Sequence, residues 1–254
     1  MNLIEIKNLS IMDSSRRNIL KDFSFELRKD SIHAVIGESG SGKTSFANTL
    51  FHLTKKDLNL KYESYSIFGK DYSDYQESDW VKMRGKQITM IPQSPGKSFH
   101  PYISIGSQIL DYFKNKEPNL AQKDSILSLL EQVQIRNPEA AFHSLPKNLS
   151  GGEKQRILVA MAIAVKPEIV VADEPTTALD SINEKLTLNL LYTLLKNSGI
   201  GLVLITHDMR IVRELADDVT VLRSGELIEK ITLLNKNMNK LQSEYSQKLV
   251  SKSL

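Results

Sequence analysis

The sequence contains no cysteine. Disulfides, thiolate-bound metals and iron–sulfur clusters are therefore excluded, and the absence fits a reducing compartment. Long hydrophobic runs are also missing. The longest, Ile157–Val165, falls far short of the roughly 20 apolar residues that a membrane-spanning helix requires. The N-terminus carries no basic-then-apolar leader, because Met1–Leu9 interleaves Glu5 and Lys7 with its apolar residues. Charge of one sign is not in excess either: 33 Lys and Arg face 30 Asp and Glu, a formal net charge of +3. That balance gives no reason to expect nucleic acid as a partner. The one mildly basic stretch, Ile231–Leu254, reads as a solvated face. No internal repeat and no low-complexity segment is present.

What remains is ordinary globular material, 254 residues with 41% hydrophobic and 25% charged side chains. A chain of this length forms one domain, or one domain with an inserted lobe, around a self-sufficient core. Its most informative stretch is Gly37-Glu38-Ser39-Gly40-Ser41-Gly42-Lys43-Thr44. The stretch follows an apolar run, Ile32–Ile36, and precedes a segment, Ser45–Leu53, that reads as a helix. Strand, glycine-rich loop and helix in that order form a phosphate cradle. The glycines let backbone N–H groups turn inward, Lys43 places a point charge near the outer phosphates, and the Thr44 hydroxyl is a ligand for Mg²⁺. The helix adds its positive N-terminal end. A nucleoside triphosphate is the expected ligand.

Three further clusters follow. Val170-Val171-Ala172 is a buried-strand run that ends in Asp173 and Glu174. A carboxylate at a strand end can hold the shell of a metal bound beside Thr44, and the next one can polarise an attacking water; either is also compatible with a cap or turn. Ser150-Gly151-Gly152-Glu153 opens a helix carrying Ile157, Leu158, Met161 and Ile163. It offers a second anion site at a helix N-terminus, although an ordinary capped helix satisfies the same pattern. Thr206-His207-Asp208 follows the apolar strand Leu202–Ile205, where open α/β sheets place ligands. His207 is thus a candidate contact to the terminal phosphate. His33, His52, His100 and His143 lack such a context and read as structural or surface residues.

Around these clusters the chain alternates. Leu3–Ile11 and Phe23–Leu27 read as strands with no helix between them, which suggests a small antiparallel layer. Lys55–Gln87 is polar and dotted with aromatics, and yields only a short strand at Tyr65–Phe68. Helical periodicity fills Ile105–Val165, and strand–helix alternation returns from Ile169 onward. Leu241, Tyr245 and Leu249 repeat every four residues, as in a terminal helix. The expected division is an ATPase domain over 1–230 with a helical lobe inserted at about 94–165, then a short helical tail over 231–254.

GESGSGKT, LSGGEKQR, VVADEP, TALD and THD, in this order and spacing, resemble the ATP-binding subunit of an ABC transporter. The resemblance covers Leu3 to about Glu229, and LSGGEKQR is its most discriminating string. It implies an α/β fold: a P-loop NTPase core of mixed, mainly parallel sheet, an N-terminal antiparallel β layer and an inserted α-helical lobe. It further implies ATP and Mg²⁺ as cofactors. The phosphate-binding residues are Gly37 through Thr44 with Ser45, and Asp173, Thr44 and Gln93 serve the metal. Glu174 is the catalytic base, Lys43, Gln93 and His207 assist it, Ser150, Gly151, Gly152 and Glu153 meet the nucleotide of an opposing subunit, and Leu179-Asp180 is the nucleotide-site loop that joins the two half-sites. The implied partners are two transmembrane permease subunits, a second ATP-binding subunit that is a paralogue rather than a copy, and an extracytoplasmic binding protein. The implied place is peripheral, on the cytoplasmic face of the plasma membrane.

Arg84-Gly85, QSPGKSFHPYISIGSQI, Asp217-Asp218-Val219 and Glu244-Tyr245-Ser246 are similar to the peptide and nickel importer branch. The early end and the lack of cysteine bring the chain nearer that branch's short, nickel-type members. One departure stands out: where the family offers an aromatic residue to adenine, this chain has Asp13. A soluble ABC-type ATPase of translation or DNA repair is the alternative, but such proteins usually carry tandem halves, coiled coils or basic surfaces. A kinase or GTPase would leave LSGGEKQR without a role.

Overall fold

The computed structural model describes residues 1–177, 179–195, 198–233 and 241–251. Two long strands open it, β1 (Asn2–Met12) and β2 (Asn18–Arg28), paired antiparallel. Their inward residues are Leu9, Ile11, Phe23, Phe25 and Leu27, and the intervening positions face outward, which is the period-2 alternation of a sheet buried on one face. The turn between them is organised by Asp13. Its carboxylate accepts from the Ser15 N–H at 2.9 Å, the Arg17 N–H at 2.9 Å and the Ser15 hydroxyl at 2.6 Å.

Next come β3 (Ile32–Ile36) and α1 (Lys43–Leu50). The helix starts two residues earlier than expected, because Gly42 itself is its N-cap, and ends earlier, with His52 in a left-handed conformation at φ 51°. Lys55–Gln87, nearly unreadable as sequence, contains β4 (Asn59–Lys61), β5 (Ser64–Ile67), β6 (Lys70–Asp71) and α2 (Glu77–Met83). These pieces are too short for a period to emerge. An aromatic nest holds them instead: the Tyr65 and Tyr72 rings stack with centroids 4.2 Å apart, and His52 stacks on the fully buried Trp80 at 5.3 Å.

Strand β7 (Ile88–Ile91) leads into four helices: α3 (Ile105–Lys116), α4 (Lys123–Gln132), α5 (Pro138–His143) and α6 (Gly151–Ala164). They bury a cluster of their own, including Ile109, Phe113, Ile126, Leu130, Phe142 and Ile157. Then β8 (Ile169–Asp173), α7 (Ser181–Leu195), β9 (Gly201–Thr206), α8 (Met209–Leu215), β10 (Asp218–Arg223) and β11 (Glu226–Thr232) alternate. Helix α9 (Glu244–Ser251) is the last described element, with Leu241 buried just ahead of it.

The sheet order is β6-β5-β1-β2-β11-β10-β3-β9-β8-β7, with β4 pairing on β1. From β10 to β7 all neighbours are parallel, and these strands are near-continuous apolar runs because helices cover both faces. The antiparallel half joins them through one parallel pair, Glu226 with Lys21. The core is therefore an α/β sheet with an N-terminal antiparallel layer. His33 is buried under the join, its Nδ1 2.6 Å from the Glu26 carbonyl and its Nε2 2.8 Å from the Thr220 hydroxyl.

Candidate active site

The loop after β3 is shaped by close backbone approaches. A Cβ on Gly37, at φ 155°, would lie 2.2 Å from the Leu222 carbonyl oxygen, and one on Gly42, at φ 101°, would lie 2.7 Å from the Ile19 carbonyl oxygen. Only glycine fits at either place. Between them the loop folds around Lys43, which is 6% exposed. The Lys43 ammonium donates to the Gly37 carbonyl at 2.7 Å, the Glu38 carbonyl at 2.9 Å and the Ser41 hydroxyl at 3.4 Å. Burial pulls the Lys43 pKa down, and the nearby Glu174 and Asp173 carboxylates push back.

Asp173 ends β8 beside the loop and faces the same cavity as the Thr44 hydroxyl. Burial raises the Asp173 pKa first and the Glu174 charge adds to it, while the Thr44 hydroxyl and Lys43 oppose the rise. Glu174 adopts a left-handed backbone at φ 47°, held by its N–H donating to the Ile205 carbonyl at 2.8 Å. Strain of this kind at a carboxylate beside a phosphate loop marks a functional site. The Glu174 side chain accepts from the Thr177 hydroxyl at 2.6 Å, and His207 Nδ1 lies 2.9 Å from it.

These residues surround a cavity of about 210 Å³. Ser39, Gly40, Gly42, Lys43, Thr44 and Ser45 form one wall; Ile19, Gln93, Asp173 and Glu174 form the others. The volume is below the roughly 300–1,000 Å³ of a pocket that engulfs a whole drug-sized ligand, and suits a phosphate chain with the nucleoside outside. Gly37 and Ser41 support the loop from beneath, and Glu38 sits at its exposed entrance.

The second glycine cluster lies elsewhere. Ser150 caps α6 in a reciprocal box: its Oγ accepts from the Glu153 N–H at 3.2 Å, and Glu153 Oε2 accepts from the Ser150 N–H at 2.9 Å. Gly151 is exposed, while a Cβ on Gly152 would lie 2.3 Å from Asn183 Oδ1. Asp180 caps α7, accepting from the Ile182 and Asn183 N–H groups at 3.1 and 3.0 Å and from the Asn183 side-chain amide at 2.7 Å. Arg156 donates to Asn183 Oδ1 at 2.9 Å, so Asn183 ties α6 to Asp180. None of Ser150–Glu153 or Asp180 lines the phosphate cavity.

Sequence reasoning missed Ile19, Thr177 and Asn183. Ile19 carries no signal, since it enters only because β2 crosses the loop. Thr177 is three residues after Glu174, a spacing at which a hydroxyl can return to a carboxylate.

Residues 20–177 match the family described as ABC transporter. The chain belongs to that family. It is an ATP-binding, ATP-hydrolysing subunit, and the fold expected from its motifs is the fold found. Among related proteins, the oligopeptide transport ATP-binding protein OppD of Lactococcus lactis subsp. lactis (strain IL1403) is 34% identical over 237 residues, covering 91% of this chain and 70% of that one. The metal-staphylopine import system ATP-binding protein CntD of Staphylococcus aureus (strain NCTC 8325 / PS 47) is 33% identical over 236 residues, covering 91% and 86%. The dipeptide transport ATP-binding protein DppD of Haemophilus influenzae is 33% identical over 237 residues, covering 91% and 72%. Among solved structures, the dimeric post-hydrolysis state of the ATP-binding cassette MJ0796 bound to ADP and Pi superposes with a TM-score of 0.77 at 24% identity, covering 91% of this ABC ATPase and 99% of that chain. Among the described residues, no helix of the ABC ATPase is long and apolar enough to cross a membrane.

Proposed function

We propose that this ABC ATPase energises an importer for peptides or metal chelates. The observation that carries the catalytic part is the convergence of Lys43, Thr44, Asp173 and Glu174 on one phosphate-sized cavity, with His207 2.9 Å from the Glu174 carboxylate behind it. The cargo class rests on the relatives, which are named for oligopeptide, dipeptide and metal-staphylopine transport.

Residues Gly37–Thr44 with Ser45 hold the phosphates. The Lys43 ammonium, now resting on loop carbonyls, is placed to exchange them for phosphate oxygens. Thr44 hydroxyl, Asp173 carboxylate and Gln93 amide form a set of hard oxygen donors, few enough to leave room for phosphate oxygens and water, as Mg²⁺ prefers. The three fit that ion, and among the described residues no cluster of three or more His, Cys, Asp or Glu competes for a metal. Bound there, Mg²⁺ would neutralise charge on the phosphates. Glu174 accepts the proton of the attacking water, and His207 holds Glu174 from the other side and reaches toward the terminal phosphate.

Ser150, Gly151, Gly152, Glu153 and Asp180 stand apart from their own chain's cavity, which supports the reading that they serve the nucleotide of a second ATP-binding subunit. A paralogue in that role fits the branch resemblance. Tyr102, 83% exposed, and Ile103 lie between Gln93 and α3, and give the membrane permeases an apolar foothold. The chain would sit on the cytoplasmic face beneath two permeases, with a binding protein delivering cargo outside. The helical lobe at about 94–165, with its own buried cluster, is suited to move as a unit within the 1–230 ATPase domain.

Glu174→Gln decides the catalytic assignment. ATP binding should persist while steady-state hydrolysis falls by about 10²–10⁴, the usual worth of a general base. Undiminished ATPase in that variant would remove Glu174 from the reaction.

A further inference from the structure

The Gly37–Glu38 peptide is gripped at both ends. Its carbonyl accepts from the Lys43 ammonium at 2.7 Å, and its N–H donates to the Tyr245 hydroxyl at 3.3 Å. The peptide is trans, so these two groups point in opposite directions from one rigid plane. Tyr245 comes from α9, more than two hundred residues away, and from the Glu244-Tyr245-Ser246 motif to which the ATPase site gives no task.

Helix α9 is built to hold that tyrosine in place. The Glu229 carboxylate of β11 accepts from the Gln242 N–H at 2.8 Å, the Ser243 N–H at 3.1 Å and the Ser246 hydroxyl at 2.8 Å. Ser246 is fully buried, and Tyr245 and Leu249 pack against the core cluster beneath β3 and β10. The Arg223 guanidinium sits over the Tyr245 ring, 4.9 Å from its centre. A tyrosine clamped on its ring face, its backbone and its hydroxyl has little rotamer freedom left.

We propose that Tyr245 is a positioning residue for ATP binding: it fixes the Gly37–Glu38 peptide so that its carbonyl faces Lys43 and its N–H faces away from the phosphates. The peptide needs such a restraint. Gly37 has no Cβ to restrict the plane, and Lys43, which grips the carbonyl end, must loosen when phosphate oxygens recruit it. At that moment the Tyr245 hydroxyl still holds the N–H end of the peptide. Without it, the loop has more conformations to lose on binding, and the cost appears in affinity rather than in the chemical step.

The inference rests on Gly37–Thr44 being the phosphate loop, and the test separates the two. Tyr245→Phe removes only the hydroxyl and keeps the ring under Arg223. For that variant we expect the Kd and KM for Mg·ATP to rise about three- to ten-fold, the span of one neutral hydrogen bond, with kcat within two-fold, the melting temperature unchanged and faster amide hydrogen exchange at Glu38. Unchanged Kd and KM overturn the proposal. A lowered melting temperature with kcat and Kd both damaged makes Tyr245 a packing residue only, and also overturns it. Lys43→Ala is the control: if it binds Mg·ATP like the unmodified protein, the phosphate-loop reading itself has failed, whereas loss of binding there beside normal binding in Tyr245→Phe sinks the tyrosine role alone.

Discussion

His207 Nδ1 stands 2.9 Å from Glu174 Oε2, the same oxygen that accepts from the Thr177 hydroxyl at 2.6 Å. The hydroxyl and the imidazole thus share one oxygen of a carboxylate that lines the cavity. The strained backbone of Glu174 and the strand-end position of His207 hold the pair in that geometry. His207→Ala should therefore lower kcat by about one to two decades, since it loosens the proposed base, Glu174, without removing it. Thr177→Val should lower it less. Steady-state ATPase assays, with nucleotide affinity measured separately by calorimetry, check both; a kcat for His207→Ala equal to that of the unmodified protein would contradict the pairing.

The two glycines that open α6 should behave differently. Among the described residues, a Cβ on Gly151 would have only Leu179 Cδ2 near it, at 3.9 Å, whereas one on Gly152 would meet Asn183 Oδ1 at 2.3 Å. Gly151→Ala is expected to fold with an unchanged melting temperature yet lose activity in the assembled transporter, as follows from the proposal that this face serves a second subunit's nucleotide. Gly152→Ala must displace Asn183 and should cost stability as well, by about 1–3 kcal/mol. Thermal unfolding and ATPase measurements side by side distinguish them, and equal melting temperatures would rule out the Asn183 contact as described.

His33 sets an acid limit on stability. Burial lowers its pKa to about 4 from an ordinary value of 6.5, because the folded state keeps it neutral between Glu26 and Thr220. Unfolded, the same imidazole takes up a proton near 6.5. Stability is therefore full above that pH and falls as pH drops toward 4, by roughly 2 kcal/mol between pH 7.5 and 5 from this residue. Urea titrations at the two pH values should show the loss, and His33→Asn, which does not ionise, should flatten the slope whatever its overall cost. A slope unchanged in His33→Asn would assign the acid sensitivity elsewhere.

At the base end, Asp13 occupies the place where the family resemblance calls for an aromatic, and its carboxylate is spent on the Asp13–Arg17 turn. Hydrogen bonds to the charged form hold its pKa below the usual carboxylate range, led by the Ser15 hydroxyl. Asp13→Tyr should strengthen ATP binding by roughly tenfold through stacking, with binding of inorganic triphosphate unaffected. Equal gains for both ligands would show that the change acts on the loop rather than the base.

The legibility of this chain follows from where chemistry dictates sequence. A phosphate cradle tolerates glycine and little else at Gly37 and Gly42, so its pattern survives as a string; Asp173, Glu174 and His207 are readable because each ends an apolar strand. The helical lobe is readable because its apolar residues keep a helical period long enough to count. Lys55–Gln87 was opaque because its order comes from tyrosines, a histidine and a tryptophan that meet only after folding. Ile19, Asn183 and the strand order depend on contacts between distant segments, and no local pattern encodes them. Tyr245 was visible as a motif, but its partner, a backbone N–H, has no letter in the sequence.

The carbonyl of Ile19 lies against two glycines: Gly42 of the loop, and Gly225 of the β10–β11 turn, where an added Cβ would come within 2.5 Å. Gly225 in turn donates its N–H to the Ser41 carbonyl at 3.2 Å and accepts from the Lys21 N–H at 2.8 Å. The antiparallel layer and the parallel core, joined in the sheet by a single register pair, are thus riveted together at the phosphate loop itself. The N-terminal strands are in that sense part of the nucleotide pocket's foundation. Transplanting them from a homologue, or cutting the chain before β3, would disturb the loop's floor as directly as a substitution within GESGSGKT.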